Sequence, residues 1–365
     1  MAKKFDMNGL HLERQKRVVA LFTDGVEALW VTHLANVRYL SGFSGSSGGL
    51  LLTPQKAVFF TDFRYQEQSE QETGTAVERV IYKKNAIEAL LEFLKEHPVR
   101  VLGIEGQLSV DARESIGREF QGKIVVTKGL PEVVRRSKDA YEIECLRKAF
   151  AIADRSFAKL VKYLKPGRRE IDIAAKLEYF MRTGGSDKPA FDSIIASGER
   201  SSCPHAHPTL RKTATGEMLK IDFGAVYAGY HSDMTRTVFF GKPDARFREI
   251  YGIVLEAQRL AIAALRPGIL AIDVDKIARD YIASHGHGER FGHGLGHALG
   301  LEIHEGPGLS QKCSDPLEEG MVVTVEPGIY LPGWGGVRIE DVYIIRKDGP
   351  ERLTSTPNEL LQIGD

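Results

Sequence analysis

The chain of 365 residues is longer than one compact core usually organises, so two domains are expected. Its 42% hydrophobic and 27% charged content suits a soluble globular protein, and 49 Lys+Arg balance 49 Asp+Glu. That balance leaves no global field for nucleic acid or an anionic membrane, and no apolar run approaches the roughly 20 residues that span a bilayer.

The opening MAKKFDMNGLHLERQKR is basic but has no apolar h-region, so a secretory signal is not expected. In the next stretches, ALWVTH, GGLLLT and KAVFFTD read as strands. AIEALLEFLKEH has helical period, RVLGIE reads as a strand, SVDARESIGREF as a helix capped by Ser109 or Asp111, and KIVVTKG as a strand. These make an α/β layer. SGFSGSSGG (41–49) looks like a phosphate cradle but lacks the Lys-Ser/Thr ending of one, and a tight Gly/Ser turn between strands is the expectation. Cys145, Cys203 and Cys313 are odd in number and far apart, giving neither a disulfide framework nor a CxxC knuckle. A reducing, cytoplasmic setting fits that usage.

A boundary is expected near VVRRSKDAYEIECLRKAF (133–150), a charged opening that feeds a long helix. Residues 1–132 would be one domain and residues 133–365 the other. The second carries an internal echo: LKPGRREIDI (164–173) matches LRPGILAIDV (265–274), each between two helix-like stretches. Two similar halves, each helix–turn–helix followed by strands, are the expected plan.

In the first half, MLKIDFGAVYAGYHSDMTRTVFF (218–240) reads as a hairpin. A two-residue loop at Tyr227-Ala228 places Asp222 directly opposite Asp233. A four-residue loop, 227–230, moves the pairing by a diagonal step but keeps both on one face. Carboxylates about 5 Å apart across strands repel unless a cation or a shared proton compensates; solvation on an exposed face is the bland alternative. In the second half, GMVVTVEPGIYLPGWGGVRIEDVYII (320–345) places Glu326 and Glu340 in otherwise apolar strands, where an unpaired acid is costly. Arg338, two residues before Glu340, shares its face and could be its ion-pair partner. FGHGLGHALGLEIHE (291–305) adds His293, His297 and His304 among four glycines, which exclude a helical zinc motif; LGLEIHE alternates as a strand. Singly these histidines read as loop residues. One histidine with four carboxylates, however, suits two hard or borderline divalent ions, which would acidify a water between them. His205 in PHAHPT precedes Asp222 as His304 precedes Glu326.

GHGLGHALGLEIHE, IDFGAVYAGYHSDMTRT, VTVEPGIY and VRIED resemble the metal-binding motifs of the methionine aminopeptidase/prolidase/aminopeptidase P superfamily, M24-type metallopeptidases with a pita-bread catalytic domain. ANVRYLSGFSGSSGGLLL resembles the α/β creatinase/prolidase-type N-terminal domain, so the resemblance spans nearly the whole chain. It implies an α+β pita-bread fold with internal duplication after that domain. It assigns Asp222 to a first ion, His297 and Glu326 to a second, and Asp233 and Glu340 as bridges, with Glu326 also the proton shuttle. It places His304 on the scissile carbonyl or oxyanion, His293 and His205 near the substrate and its proline, and Thr235 and Arg338 as supports that orient carboxylates. Arg338 is a substitute candidate for a substrate carboxylate. The implied cofactors are two divalent ions, manganese first, with cobalt, zinc or iron as alternatives. The implied substrates are peptides with proline in second position, and the implied assembly is a homodimer. Many prolidases carry HE-x-P-R where this chain has HEGPGLS, with Gly308 at the arginine position. That departure favours an Xaa-Pro aminopeptidase over an Xaa-Pro dipeptidase. A binding module that keeps its metal for structure is the reading from another class.

Overall fold

The computed structural model describes residues 5–364 and separates into two compact units that divide between Arg135 and Arg136. The first unit is a mixed six-stranded sheet. Its strands are β1 (Ala28–Val31), β2 (Gly49–Leu52), β3 (Ala57–Asp62), β4 (Glu78–Tyr82), β5 (Val101–Glu105) and β6 (Lys123–Thr127), in the order β4-β3-β2-β1-β5-β6. β1 and β2 are apolar and buried along their whole length, as central strands covered on both faces must be. Helices α1 (Met7–Val19), α2 (Leu34–Ser41), α3 (Gln66–Glu72), α4 (Ala86–Glu96), α5 (Val110–Glu119) and α6 (Leu130–Arg135) complete the unit. Ser109 caps α5 by accepting from the Ala112 N–H.

Five of these elements, α1, α2, α3, α6 and β4, escape a hydrophobic-period reading. α1 buries His11, Arg14 and Gln15 beside Val18, and these polar side chains hydrogen-bond the Tyr39, Leu40 and Ala76 carbonyls. α2 is short, and β4 is a half-exposed edge strand. The Gly/Ser segment after Ser41 therefore joins α2 to β2, where a turn between two strands was expected.

The second unit is duplicated. In its first half, α7 (Ala140–Tyr163) and α8 (Glu170–Thr183) precede β7 (Ile194–Ser197), β8 (Met218–Phe223), the short β9 (Val226–Tyr227) and β10 (Tyr230–His231), and β11 (Met234–Phe240). In the second half, α9 (Ala245–Ala264) and α10 (Ala271–Ser284) precede β12 (Gly296–Ala298), β13 (Glu305–Leu309), β14 (Val322–Val325), β15 (Gly328–Leu331), β16 (Gly335–Arg338) and β17 (Asp341–Ile344). Each half builds its own apolar core. One gathers Phe157, Leu177, Ile221 and Val238; the other gathers Val254, Val274, Val323 and Ile345.

The echo seen in the sequence is a repeated structural device. α7 and α9 both end at a leucine in extended conformation, Leu164 and Leu265, followed by Pro-Gly. Gly167 and Gly268 both take φ +88°, and a short antiparallel bridge, Arg169–Lys212 or Leu270–Pro316, then leads into the next helix. The long helix α7 begins at a capping box, Asp139 with Glu142, where the charged opening was expected to feed it.

A left-handed φ costs an L-residue about 1–2 kcal/mol, and no atom lies within 4 Å of a Cβ added at either glycine. Gly167→Ala and Gly268→Ala should each therefore destabilise by about that amount, equally, through backbone strain alone. Urea-unfolding midpoints check this; a large loss at only one position would show that the two turns are not equivalent.

Candidate metal centre

The hairpin turn falls at Ala228-Gly229, both at positive φ (49° and 82°), which suits the twist of flanking strands. Val226 then pairs with His231, and across β8 and β11 Asp222 stands opposite Thr235. The direct Asp222–Asp233 opposition of a loop at Tyr227-Ala228 is thus replaced by the diagonal register, with Asp233 one step beyond β11. Both acids remain on one face.

The second half delivers its residues from strand ends. His297 lies in β12, Glu326 follows β14, and Glu340 sits between β16 and β17. Gly296 runs against β14 so closely that a Cβ would stand 2.2 Å from the Thr324 carbonyl, which explains one glycine of the Gly/His-rich stretch. LGLEIHE is not a strand: residues 300–304 bend, β13 starts only at Glu305, and His304 is carried on that bend. The Gly300 carbonyl is held by the His231 N–H, and buried Lys138 pairs with Glu305 at 3.1 Å.

One cavity of about 420 Å³ is lined by nine of the ten singled-out residues, all but Thr235: His205, Asp222, Asp233, His293, His297, His304, Glu326, Arg338 and Glu340. Asp233, His297 and Glu340 each offer an atom within 4.8 Å of the others. The His297 Nδ1 donates to the Ala298 carbonyl at 3.1 Å, which leaves Nε2 with a bare lone pair. That lone pair points at Asp233 Oδ2 (3.6 Å) and Glu326 Oε1 (3.4 Å), and burial holds the ring below its usual pKa. Acceptors facing acceptors require a cation or protons between them.

The carboxylates say the same. Burial first, then the mutual repulsion of Glu340, Asp222 and Glu326, holds Asp233 well above the usual carboxylate range. Glu340 is raised by burial and by Glu326 and Asp222, and burial pushes Glu326 up to about 7. Asp222 Oδ1 and Glu340 Oε1 are buried and, among the described residues, have no hydrogen-bond partner. Buried oxygen atoms are seldom left so, and a hard divalent ion is the partner that such a donor set fits.

The supports differ in part from those expected. Thr235 Oγ1 donates to Glu340 Oε2 at 2.7 Å, as a support should. Arg338 does not pair with Glu340; its Nη2 donates to Asp222, its Nε to Thr235 Oγ1 at 3.0 Å, and its Nη1 to the Tyr330 hydroxyl at 2.9 Å and the Pro204 carbonyl at 3.3 Å. With those donors engaged it positions Asp222 and is poorly placed to receive a substrate carboxylate. Tyr330 also meets His293 Nε2 at 2.8 Å, while His293 Nδ1 donates to the Gly294 carbonyl at 2.8 Å. Both ring nitrogens are used, so His293 offers the cavity a ring face; burial, then Arg338, pushes its pKa down to about 4. Tyr330 and Thr324, which accepts from the His297 N–H and donates to Glu326 Oε1, carry no sequence signal beyond lying beside the acids. Asp192 and His207 also line the cavity.

Four acids and one imidazole, brought to one cleft by two duplicated halves, form a candidate site for divalent ions, as a metal-dependent hydrolase requires. Residues 144–347 match Metallopeptidase family M24 and residues 14–136 the Creatinase/Prolidase N-terminal domain. The chain belongs to metallopeptidase family M24: an α+β pita-bread catalytic domain preceded by an α/β creatinase-type domain. It is 40% identical to an Xaa-Pro dipeptidase of Pyrococcus horikoshii over 96% of this chain and 99% of that one. An Xaa-Pro dipeptidase structure from Bacillus anthracis superposes with TM-score 0.94 at 39% identity, over 96% of this chain and 99% of that one. An X-Pro aminopeptidase from Thermotoga maritima superposes at 0.89 and 36% identity, over 96% and 100%.

A carboxyl raised from 4.5 to about 7 stabilises the fold fully below pH 4.5 and loses that contribution as pH rises through 7. The melting temperature of metal-free protein should therefore fall between pH 5 and 8. Adding manganese should raise it most at the upper end, which calorimetric scans check; an increase with pH in metal-free protein would contradict the clustered acids.

Proposed function

We propose that the chain is an Xaa-Pro dipeptidase of the prolidase type, working with two divalent ions held by Asp222, Asp233, His297, Glu326 and Glu340. The observation that carries the metal is the pair of buried, unpartnered oxygens on Asp222 and Glu340. Manganese is the first candidate ion, with cobalt, zinc or iron as alternatives. Bound ions supply the charge that polarises a scissile carbonyl and acidifies water.

The remaining work belongs to side chains. Glu326, biased by burial toward holding a proton, accepts one during attack and returns it to the leaving nitrogen. His304, exposed on the cavity wall with its ring 4.3 Å from that of His297, holds the scissile carbonyl oxygen. His205 is exposed on the cavity wall and meets the substrate, and the His293 ring flanks its proline. Arg338 keeps Asp222 in place.

The dipeptidase reading reverses the preference drawn from Gly308. Relatives 39–40% identical over nearly the whole chain are named Xaa-Pro dipeptidases. Gly308 lies in β13 opposite His297, and an added Cβ would meet nothing nearer than the Gly296 carbonyl at 3.8 Å, so packing does not demand glycine. The exposed imidazoles of His205 and His207 are then the donors nearest to hand for a dipeptide carboxylate. Xaa-Pro aminopeptidase is the second reading, favoured by the name of the Thermotoga maritima structure. The proposed substrates have proline in second position, and the proposed assembly is a homodimer.

Protein loaded with manganese, cobalt or zinc should release the first residue from Xaa-Pro dipeptides faster than from Xaa-Pro-Xaa tripeptides. Faster tripeptide cleavage would select the aminopeptidase, and no release from either would refute both. Glu326→Gln should lower kcat by about 10²–10⁴-fold, the range for removing a proton-transfer group.

A further inference from the structure

We propose that Lys220 is a positioning residue that fixes His205 at the cavity wall by holding the two carbonyls before it. Lys220 lies in β8 and is fully buried. A lysine in that position needs partners, and among the described residues no carboxylate lies within ion-pair distance of it. Its Nζ instead donates to the Cys203 carbonyl at 2.6 Å and the Pro204 carbonyl at 3.2 Å. It also stands 5.2 Å from the centre of the Tyr330 ring, the phenol that ties Arg338 to His293. Arg338 Nη1 reaches the same Pro204 carbonyl at 3.3 Å, so two buried basic side chains converge on one peptide.

The other flank of the segment is clamped as well. Arg200 Nη2 donates to the His207 carbonyl at 2.8 Å, and its Nε to buried Glu170. Thr209 gives Glu170 both its N–H and its hydroxyl. Only His205, Ala206 and His207 lie between the two clamps, and all three line the cavity. An exposed loop held by so few groups would otherwise open locally. Two side-chain hydrogen bonds from beneath set where the His205 ring stands. Alternation along β8 puts Lys220 on the face of Asp222, so the strand that carries an acid of the metal centre also sets the distance to His205.

The kinetic part rests on the Xaa-Pro reading; the positioning itself does not. Lys220→Met keeps the length and removes the donors, and Lys220→Gln restores an N–H. In metal-free protein, hydrogen exchange over residues 202–208 should quicken about tenfold in Lys220→Met and less in Lys220→Gln, with β8 still protected. In metal-loaded protein, Lys220→Met should raise KM for an Xaa-Pro dipeptide about tenfold with kcat within about twofold, and that effect should vanish in a His205→Ala background. Unchanged exchange over 202–208 would overturn the positioning whatever the substrate, as would an undiminished Lys220 effect without His205. Should the Met variant not fold, the Gln variant carries the same cycle. Faster exchange in a protein whose wild type ignores Xaa-Pro peptides would uphold the positioning and remove only the substrate reading.

Discussion

Three buried carboxylates and a partly buried fourth face one another with the lone pair of a histidine aimed into their midst. Everything else in the second unit serves or tolerates that arrangement. Burial drives Asp233, Glu326 and Glu340 to hold protons, and repulsion among the neighbouring carboxylates drives them further. Divalent cations resolve the conflict better than protons, because they satisfy several oxygens at once and leave the acids ionised.

Duplication makes the cluster possible. A strand pair can present two acids on one face, but two more must arrive from a second sheet at the same depth. Two halves with the same helix–turn–helix entry and separate apolar cores deliver them from strand ends. The join is then locked by cross-sheet contacts. Thr235 of one half holds Glu340 of the other, and Arg338 of the second half holds Asp222 of the first. Behind them, Arg236 donates to the Thr235 and Glu340 carbonyls and to Asp341, which also accepts from Arg352, Thr354, Gln258 and Asn358. That polar network fixes the backbone on which Glu340 stands.

Much of this is legible in the residues. Acids interrupting apolar strands cannot hide, and a ten-residue echo with Pro-Gly at its centre reports a duplicated turn because only glycine takes φ +88° without strain. The first unit's apolar strands are equally plain. What escapes is set by partners distant in sequence. α1 is anchored by polar side chains, so it shows no apolar period. The choice between the two hairpin registers that the sequence allows depends on Ala228 accepting a left-handed φ, which composition does not announce. Arg338 passes over its neighbour Glu340 for Asp222, 116 residues away, and Tyr330 and the Gly294 carbonyl between them use up the ring nitrogens of a histidine that looks substrate-facing. Gly308 points the other way: glycine where many prolidases carry arginine leans toward an aminopeptidase, while relatives of nearly the full length are named Xaa-Pro dipeptidases.

The most direct measurement is calorimetric titration of metal-free protein with manganese near pH 6.5, repeated in buffers of different ionisation enthalpy to count protons released. Two ions bound per chain with release of about one proton or more is the expected result, because raised carboxyls must give up protons to ligate. Binding without proton release, or no binding at all, would contradict the claim that these carboxylates are a metal centre.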